Sequence, residues 1–263
     1  MHPWLSIVTV VRDDPEGLKR TLASVAAQEG AGSIEIVVVD SSADREASGA
    51  LLPLVAGVAS ASCTWVHPRG VYPAMNEGLR LATGEWIYYL NAGDVLAAPD
   101  VLRRCREALI HEPEEWAVGS ILIQSASGSL ITPPSWDYDA EWTAYFARGR
   151  FPAHQGVIVR RVALEGVGGF DESYRICADY RTMLQLARRG RPIMLPMALA
   201  IFEHGGVSDT SWVAALKEFH RARREVLDLT GAARAREAAY SASVAAQQSA
   251  YRVAARVLGS RRG

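Results

Sequence analysis

Three short polar segments each follow a run of β-branched or aromatic residues, and their side chains are of types that bind cations and nucleotides. The segments are Arg12-Asp13-Asp14, Asp40-Ser41-Ser42 and Asn91-Ala92-Gly93-Asp94. Carboxylate and amide oxygens suit hard divalent cations, and a carboxylate also accepts hydrogen bonds from the ring N–H of a nucleotide base. These residue types indicate a site for a phosphorylated ligand and a cation, provided that the fold brings the segments together.

The runs before these segments are predicted strands, and segments of helical periodicity separate them. Strands are predicted at 5–11, 34–39 and 85–90, and helices after Pro15, at 73–83 and at 99–110. Strands that alternate with helices in this way imply βαβ crossovers and a parallel sheet. Ligands of such sheets bind beyond the carboxyl ends of the strands, where all three polar segments begin. We expect one cleft to collect them.

The following part of the chain is more mixed. Strands are predicted at 116–124, 129–132, 156–159, 193–195 and 198–202, with a helix at 178–189. After Gly205-Gly206 the sequence is helical and Ala-rich to its end. We therefore expect an α/β domain over residues 1–210, with a mainly parallel central sheet flanked by helices, and a helical, basic C-terminal extension over residues 211–263.

Charge and composition exclude several classes of protein. The 263 residues are 49% hydrophobic and 22% charged, as in ordinary globular proteins, and the formal net charge is −1. Residues 221–263 hold nine Arg and three acidic residues, so the rest of the chain is acidic. A general nucleic-acid binder would carry positive charge through its folded domain, and no nucleic-acid partner is expected.

The sequence also argues against export and membrane spans. Its longest apolar runs are about half the roughly 20 residues of a spanning helix, and its first residues lack the basic flank of a secretory signal. Three cysteines (Cys63, Cys105 and Cys177) lie far apart without a CxxC pair, which is typical of buried thiols in a reducing compartment. The expected location is the cytoplasm.

Several nucleotide and hydrolase motifs are absent from the sequence. No GxGxxG follows the first strand, no GxxxxGK[ST] is present, and no GxSxG elbow is found. The chain has two lysines, Lys19 and Lys217, which also disfavours a P-loop enzyme. The absence of these motifs leaves open a site for a mononucleotide-type ligand that is held by loop carboxylates and a metal.

Three sets of motifs, in order along the chain, resemble the family 2 glycosyltransferases. The motifs are LSIVTVVR (5–12) with IVVVDSS (36–42), RGVYPAMNEG (69–78) with ATGEW (82–86) and NAGD (91–94), and HQ (154–155) with GGFDE (168–172) and ADY (178–180). The resemblance covers roughly residues 4 to 210. It implies a GT-A fold and an inverting, hexosyl-type transfer from a nucleotide-sugar donor, of the UDP or GDP type, to a hydroxyl of a glycan, lipid-linked or small-molecule acceptor.

The resemblance also implies roles for residues on the donor side. Asp94 matches a ligand of Mg²⁺ or Mn²⁺, with His204 as a further candidate, and a capping role is the alternative for Asp94. Asp40 matches the position that recognises the base, with an Asx turn as its alternative. The remaining donor-binding candidates are Thr9 and Val11 through their backbone groups, and Arg12, Arg69, Asn76 and Asn91. An ordinary solvated charge is the alternative for Arg69.

On the acceptor side, Asp179 matches the general base, which takes the proton of the attacking hydroxyl. Its alternative is an N-cap aspartate. His154 is expected to line the acceptor site, although a lone His, like His204, is more often a packing residue.

The chain departs from the relatives that it most resembles. Those relatives often read Asp-x-Gly-Ile-Tyr-Asp-Ala-Met-Asn, where this chain has Pro68 and Pro73 in place of the two carboxylates. Asn91 and Gly93 also stand where carboxylates often lie. A single acidic ligand predicts a weak, donor-dependent metal site, and the missing carboxylates leave the sugar open.

Two other functions and a membrane contact stay open as alternatives. A sugar-phosphate nucleotidyltransferase would carry a Gly- and basic-rich loop after the first strand, unlike Asp13-Asp14-Pro15. A non-catalytic nucleotide-sugar-binding module is the rival outside enzymes. The basic C-terminal helix suits peripheral contact with an anionic membrane, at its inner face, or packing on the core.

Overall fold

Strands and helices follow one another along the first 110 residues, and the structure adds two short helices and a strand at 45–65 that the sequence does not predict. The computed structural model describes residues 2–58, 60–125, 128–132, 151–203 and 212–259. The elements of this first part are β1 (Leu5–Val11), α1 (Pro15–Ala26), β2 (Ile34–Asp40), α2 (Arg45–Gly49), α3 (Leu52–Ala56), β3 (Ala61–Trp65), α4 (Val71–Leu81), β4 (Trp86–Tyr89), β5 (Val95–Leu96) and α5 (Val101–Leu109).

The later elements complete the sheet and add two long helices. They are β6 (Trp116–Gln124), β7 (Leu130–Ile131), a 3₁₀ turn (His154–Gly156), β8 (Val157–Arg160), α6 (Arg161–Gly166), α7 (Ala178–Arg189), β9 (Ile193–Glu203), α8 (Trp212–Val226) and α9 (Gly231–Gly259). The chain divides into two units, Met1–Gly205 and Gly206–Gly263.

The strands form one sheet in the order β3-β2-β1-β4-β8-β6-β9-β5, with β7 beside β6. The first four strands are parallel, which confirms the prediction from the βαβ pattern. Beyond β4 the sheet is mixed, because β8 runs antiparallel to both β4 and β6 while β6 and β9 are parallel. The regular alternation of strands and helices, on which the parallel prediction depends, stops after α5.

Helix α1 begins where the sequence signals predict. Asp14 is its N-cap and accepts a hydrogen bond from the Gly17 amide at 2.8 Å, and Pro15 stands at the first helical position. The apolar stripe of Leu18, Leu22 and Val25 is buried against one face of the sheet, together with the apolar face of α5. This packing fixes the loops that leave β1 and β4.

Helix α4 covers the other face of β1 and β2 at close range. A Cβ at Gly78 would lie 2.2 Å from Val8 Cγ1 and 3.4 Å from Val39 Cγ2. Only glycine permits this approach of a helix to a sheet that is buried on both faces. The start of α4, with Tyr72, is thereby held close to the carboxyl ends of the parallel strands.

β9 is one strand where the sequence predicts two. Its pairing with β6 runs from Ile193 to Glu203, and the register shifts between Met194, opposite Val118, and Ala198, opposite Ser120. Pro196 lies in this interval and has no N–H to donate to the ladder. The proline interrupts the pairing without ending the strand.

The cysteines are free thiols, as expected. Burial, with a smaller effect of the Asp40 charge, raises the pKa of Cys63 to about 11, and burial raises that of Cys105 to about 12. Both thiols therefore stay protonated at neutral pH. In the described part of the chain, no helix is both long and apolar enough to cross a membrane.

Candidate active site

The polar segments after β1, β2 and β4 lie at one edge of the sheet. Val11 pairs with Asp40 at the ends of β1 and β2, and the Ala92 amide donates to the Val10 carbonyl at 3.0 Å. The loops after β1 and β2 are tied together, because the Asp13 amide donates to Ser42 Oγ and Asp13 Oδ1 accepts from the Ala43 amide, both at 3.0 Å. The parallel register thus assembles the cleft that the sequence predicts.

Asp40 is fully buried at the end of β2, and its two carboxylate oxygens have different surroundings. Oδ1 accepts from the Ser42 amide at 2.8 Å, which is the Asx turn named as the alternative. Oδ2 is buried and has no hydrogen-bond partner among the described residues. A buried oxygen without a partner is costly, so this atom points to a ligand that supplies an N–H.

Three further donor-binding candidates, Thr9, Val11 and Arg12, lie in or directly after β1. Thr9 lies in β1 with its buried Oγ1 also lacking a partner among the described residues, whereas the Val11 carbonyl accepts from the Ser41 amide at 2.9 Å. Arg12 is an exposed side chain 3.6 Å from the Asp13 carboxylate. Its guanidinium lies at the rim of the cleft.

Asp94 is buried, with 6% of its surface exposed, in the turn that follows β4. Thr21 of α1 fixes this turn, because its hydroxyl donates to the Asp94 carbonyl at 2.7 Å and accepts from the Gly93 amide at 3.1 Å. The Asp94 carboxylate accepts from Gln155 Nε2 at 3.2 Å. The capping alternative is not seen, because Asp100, and not Asp94, stands at the N-cap position of α5.

Gly93 has a backbone conformation that favours glycine. Its φ is +98°, in a region that residues with a Cβ rarely adopt. The turn as built in this chain therefore favours glycine at position 93. The negative charge of the strand end then depends on Asp94.

The residues at this turn suit a cation that obtains most of its ligands elsewhere. Asp94 supplies a carboxylate, and Asn91 Oδ1 is a buried oxygen without a partner among the described residues. No group of three or more His, Cys, Asp or Glu side chains that could hold a metal occurs in the described ranges. Such a set fits Mg²⁺ or Mn²⁺ only when phosphate oxygens and water complete the coordination. His204, the second predicted ligand, lies outside the described residues.

Asp179 lies in the first turn of α7, across the sheet from the base site. Cys177 is the N-cap of this helix, so Asp179 is not the capping residue that was the alternative. Its Oδ1 accepts from the Tyr180 amide at 2.8 Å and from the Tyr72 hydroxyl at 3.2 Å. The position near a helix N-terminus favours the ionised carboxylate.

Tyr72 is a residue of the site to which the sequence analysis gives no role. Its hydroxyl contacts the Ile176 carbonyl at 2.5 Å as well as Asp179. Burial, and then the Asp179 charge, raise the pKa of Tyr72 far above its ordinary value, so that it remains a donor. Its place in the RGVYPAMNEG motif was the available signal.

His154 lies between Asn91, in the turn after β4, and Asp179, the candidate base. Its Nε2 is 3.1 Å from Asn91 Nδ2, and its Nδ1 is 3.8 Å from Asp179 Oδ2. Burial lowers the pKa of His154 to about 4, so the ring is neutral at pH 7. Because Asn91 Nδ2 is a donor, the ring accepts at Nε2 and carries its proton on Nδ1, towards Asp179.

Gln155, the next residue, contacts Asp94, the candidate metal ligand. The sequence predicts no role for it. Its side chain donates to Asp94, and its carbonyl accepts from the buried Tyr88 hydroxyl at 2.8 Å. The HQ motif therefore contacts both candidate carboxylates, His154 approaching Asp179 and Gln155 holding Asp94.

The Asn76 side chain makes hydrogen bonds within the protein that the sequence does not predict. Its Nδ2 donates to the Phe170 carbonyl at 2.8 Å and to Glu172 Oε1 at 3.0 Å, and its Oδ1 accepts from the Phe170 amide at 2.9 Å. Both ends of the amide thus fasten α4 to the turn at 168–172. The contact of Asn76 with the donor stays a prediction.

Arg69 is exposed beside a cavity of about 500 Å³ at the same edge of the sheet. The cavity is bordered by Val66, whose amide donates to the Asp40 carbonyl at 2.8 Å, and by Asn76 and Glu172. A larger cavity, of about 630 Å³, lies around Trp4 and Glu85, where β1 and β4 begin. The second cavity is at the opposite end of the strands from the three carboxylates, so volume alone does not identify the site.

Comparison with known proteins gives a consistent result. The model of the family described as "Glycosyl transferase family 2" matches residues 6–164. An uncharacterized glycosyltransferase of Mycobacterium tuberculosis is 26% identical over 216 residues, covering 78% of this chain and 77% of that protein. A "PGL/p-HBAD biosynthesis glycosyltransferase" of Mycobacterium bovis is 27% identical over 215 residues, covering 79% and 80%.

Solved structures show the same fold. S. aureus TarS (residues 1–349) in complex with UDP has a TM-score of 0.66 and 14% identity, over 91% of this chain and 70% of that one. The mannosyltransferase PcManGT from Pyrobaculum calidifontis, in complex with GDP-Man and Mn²⁺, has a TM-score of 0.63 and 17% identity, over 98% and 81%. The predicted GT-A fold is confirmed by these likenesses.

Proposed function

The chain belongs to glycosyl transferase family 2, and from that membership we propose that it transfers a hexosyl-type sugar from a UDP- or GDP-sugar to an acceptor hydroxyl with inversion. The acceptor is a glycan, a lipid-linked sugar or a small molecule. The observation that supports the proposal is that Asp40 and Asp94 follow strands of the same parallel sheet, and that Gln155 donates to Asp94 while the neighbouring His154 lies 3.8 Å from Asp179.

Asp40 recognises the base of the donor. Its buried Oδ2 lacks a partner among the described residues, and uracil and guanine both offer a ring N–H to such an atom. Thr9 Oγ1 is a second buried group without a partner, one strand away. This pair of atoms supports a UDP or GDP donor over a base that offers only acceptors at that place.

Asp94 holds a divalent cation together with the diphosphate of the donor. When bound, Mg²⁺ or Mn²⁺ neutralises the charge that grows on the leaving diphosphate. Gln155 holds the Asp94 carboxylate, and Asn91 Oδ1 is available to the donor or to the water around the cation. Arg12 and Arg69, both exposed cations at the edge of the cleft, supply further positive charge towards the phosphates.

Asp179 is the general base. Its carboxylate takes the proton of the acceptor hydroxyl, the hydroxyl oxygen forms a bond to the anomeric carbon, and the bond from that carbon to the diphosphate oxygen breaks with its electron pair. A single displacement of this kind inverts the anomeric carbon and needs no second carboxylate. Tyr72 and the Tyr180 amide orient Oδ1, and Oδ2 faces His154, where we place the proton transfer.

His154 positions this base and lines the acceptor side of the cleft. The separation of 3.8 Å between Nδ1 and Asp179 Oδ2 is too long for a hydrogen bond. Contacts of this kind often shorten when substrates bind. Because the ring is neutral at pH 7, it can donate its Nδ1–H to the carboxylate without giving up a proton to it.

The test is donor turnover by the purified chain with UDP- and GDP-sugars and Mn²⁺. Release of UDP or GDP together with a glycosylated acceptor is the expected result. Donor binding without turnover would instead support a nucleotide-sugar-binding module. Turnover of a nucleoside triphosphate with a sugar 1-phosphate would support the nucleotidyltransferase.

The variant Asp179→Asn tests the base separately. We expect kcat to fall by about 10²–10⁴-fold, the range of general-base contributions, while the donor Kd changes by less than about twofold. Asp100→Asn, at the start of α5, makes the same chemical change away from the cleft and should leave both constants unchanged. Full activity in Asp179→Asn would overturn the assignment.

A further inference from the structure

The second unit contains a network of charged and polar side chains around the buried carboxylate of Glu237. Glu237 of α9 accepts from Arg223 Nε of α8 at 2.8 Å and from Ser241 Oγ at 2.7 Å, and it also pairs with His220 Nδ1. Arg223 and Glu237 are 4% and 8% exposed. The network joins α8 to α9.

A cavity of about 320 Å³ lies beside this network at the turn between the two helices. Its lining consists of His220, Arg221, Arg224, Glu225, Leu229 and Arg234. Glu225 is paired with Arg221 at 2.7 Å. The guanidinium groups of Arg224 and Arg234 have no ion-pair partner among the described residues.

Arg224 and Arg234, from different helices, thus border one cavity, and the carboxylate in its lining, Glu225, is paired with Arg221. The arginine fork matches the geometry of phosphate oxygens and binds them through two parallel hydrogen bonds. The volume of the cavity also lies at the lower end of the range for small-ligand sites. These features indicate a site for a phosphate group.

The sequence beyond the cavity favours a surface over a small soluble anion. After Glu237 the chain carries Arg252, Arg256, Arg261 and Arg262 and no acidic residue. Positive charge therefore continues from the cavity along the chain in one direction. Such an arrangement suits an anionic lipid surface, to which each basic residue adds affinity.

We propose that the cavity between α8 and α9 binds the phosphate group of an anionic lipid, through Arg224 and Arg234. The proposal is independent of the glycosyltransferase chemistry, because none of its residues belongs to the cleft at Asp40, Asp94 and Asp179. It gives the basic end of the chain a defined binding site in addition to a diffuse charge.

The test compares binding of the full chain to vesicles of phosphatidylcholine with and without phosphatidylglycerol. We expect binding only to the anionic vesicles. Arg224→Ala or Arg234→Ala should weaken it by about fivefold each, and the double variant by roughly thirtyfold. Both side chains are exposed, so the thermal unfolding midpoint of these variants should equal that of the parent. This measurement is the control for folding.

Arg236→Ala is the matched control. Arg236 is an exposed residue of α9 outside the cavity lining, and its substitution removes the same charge. We expect vesicle affinity to stay within about twofold of the parent, as for other isolated surface charges. An equal loss of vesicle affinity in Arg236→Ala would overturn the proposed binding at the cavity and would assign the affinity to diffuse charge.

Inorganic phosphate distinguishes the two sources of the phosphate group. At constant ionic strength, binding of inorganic phosphate that requires Arg224 and Arg234, without any vesicle binding, would overturn the lipid assignment. Vesicle binding that is lost in the double variant and kept in Arg236→Ala supports the proposal.

Discussion

Nδ1 of His154 lies 3.8 Å from Oδ2 of Asp179, while the opposite ring nitrogen contacts Asn91 at 3.1 Å. The imidazole thus connects the turn at the end of β4 with the start of α7. One neutral ring thus lies between the donor-side turn and the candidate base, in hydrogen-bond contact with the turn alone. This relation has consequences for stability as well as for catalysis.

Lowering the pH should destabilise the protein through His154. Burial lowers the pKa of His154 from 6.5 to about 4, so between these values the unfolded chain binds a proton that the folded protein does not. Stability is therefore lost as the pH falls through this window, by up to about 3 kcal/mol at about 1.4 kcal/mol per pKa unit. His154→Gln should lose less stability between pH 7 and about pH 4, measured by urea unfolding. Equal losses in the two proteins would contradict the burial of the ring.

Asp40→Asn should weaken the binding of UDP or GDP. The amide can still accept from the Ser42 amide, but its Nδ2 replaces the oxygen that would accept from the ring N–H of the base. Losing a hydrogen bond to a charged group costs about 1.5–3 kcal/mol, or roughly 10- to 100-fold in Kd. Isothermal titration of UDP, GDP and CDP measures this, and CDP, which lacks that N–H, should lose much less. An unchanged Kd for both UDP and GDP would remove Asp40 from the base site.

Asp94→Asn should raise the metal concentration that activity requires. We expect chelation by EDTA to abolish turnover in the parent protein and Mn²⁺ to restore it. The Mn²⁺ concentration for half-maximal activity should rise at least about tenfold in the variant, as for other changes at metal sites. Asp100→Asn, which keeps the cleft intact, serves as the control. Full activity of the parent in EDTA, or the same Mn²⁺ demand in both variants, would speak against this site.

Gly93→Ala should destabilise the protein through its backbone alone. The nearest atom to the added Cβ is Arg20 Nη2 at 3.8 Å, which is ordinary contact, but the φ of +98° is strained for alanine. We expect a loss of about 1–2 kcal/mol in the free energy of unfolding. Gly49→Ala, in α2 with nothing within 4 Å of the added Cβ, should be neutral or stabilising by up to about 1 kcal/mol. Similar values for the two variants would show that the turn accepts a side chain at position 93.

The sequence predicts the donor side of the molecule well because its signals are local. Buried β-branched runs, the Asp14-Pro15 helix start and the polar residues at strand ends depend on neighbours in the chain, and β1, α1 and β6 follow them. Pro196 misled the prediction for β9, because a proline inside a strand looks like a break. Its missing N–H shifts the register, and the strand continues.

The acceptor side is less predictable because its contacts join distant parts of the chain. The Tyr72 hydroxyl reaches a carboxylate 107 residues later, and the Asn76 amide is used by a turn 94 residues later. The motif predicts Asn76 as a donor ligand, which stays a prediction, and tertiary packing adds the hydrogen bonds of its amide to the turn at 168–172. The role of Gln155 depends equally on the pairing of β4 with β8.

The position of β4 between the parallel strands and the antiparallel β8 has a consequence for how such proteins diversify. Asp40, Asn91 and Asp94 are encoded before residue 95, whereas His154 and Asp179 come from the later part of the chain. The two parts share one strand pair, Trp86 to Tyr88 against Arg160 to Ile158, and α4 is joined to the later part through Tyr72 and Asn76. Under the proposed function, substitutions in the later part therefore act on the acceptor side, because the hydrogen bonds of Asp40 to Ser42 and Val66 lie within the earlier part.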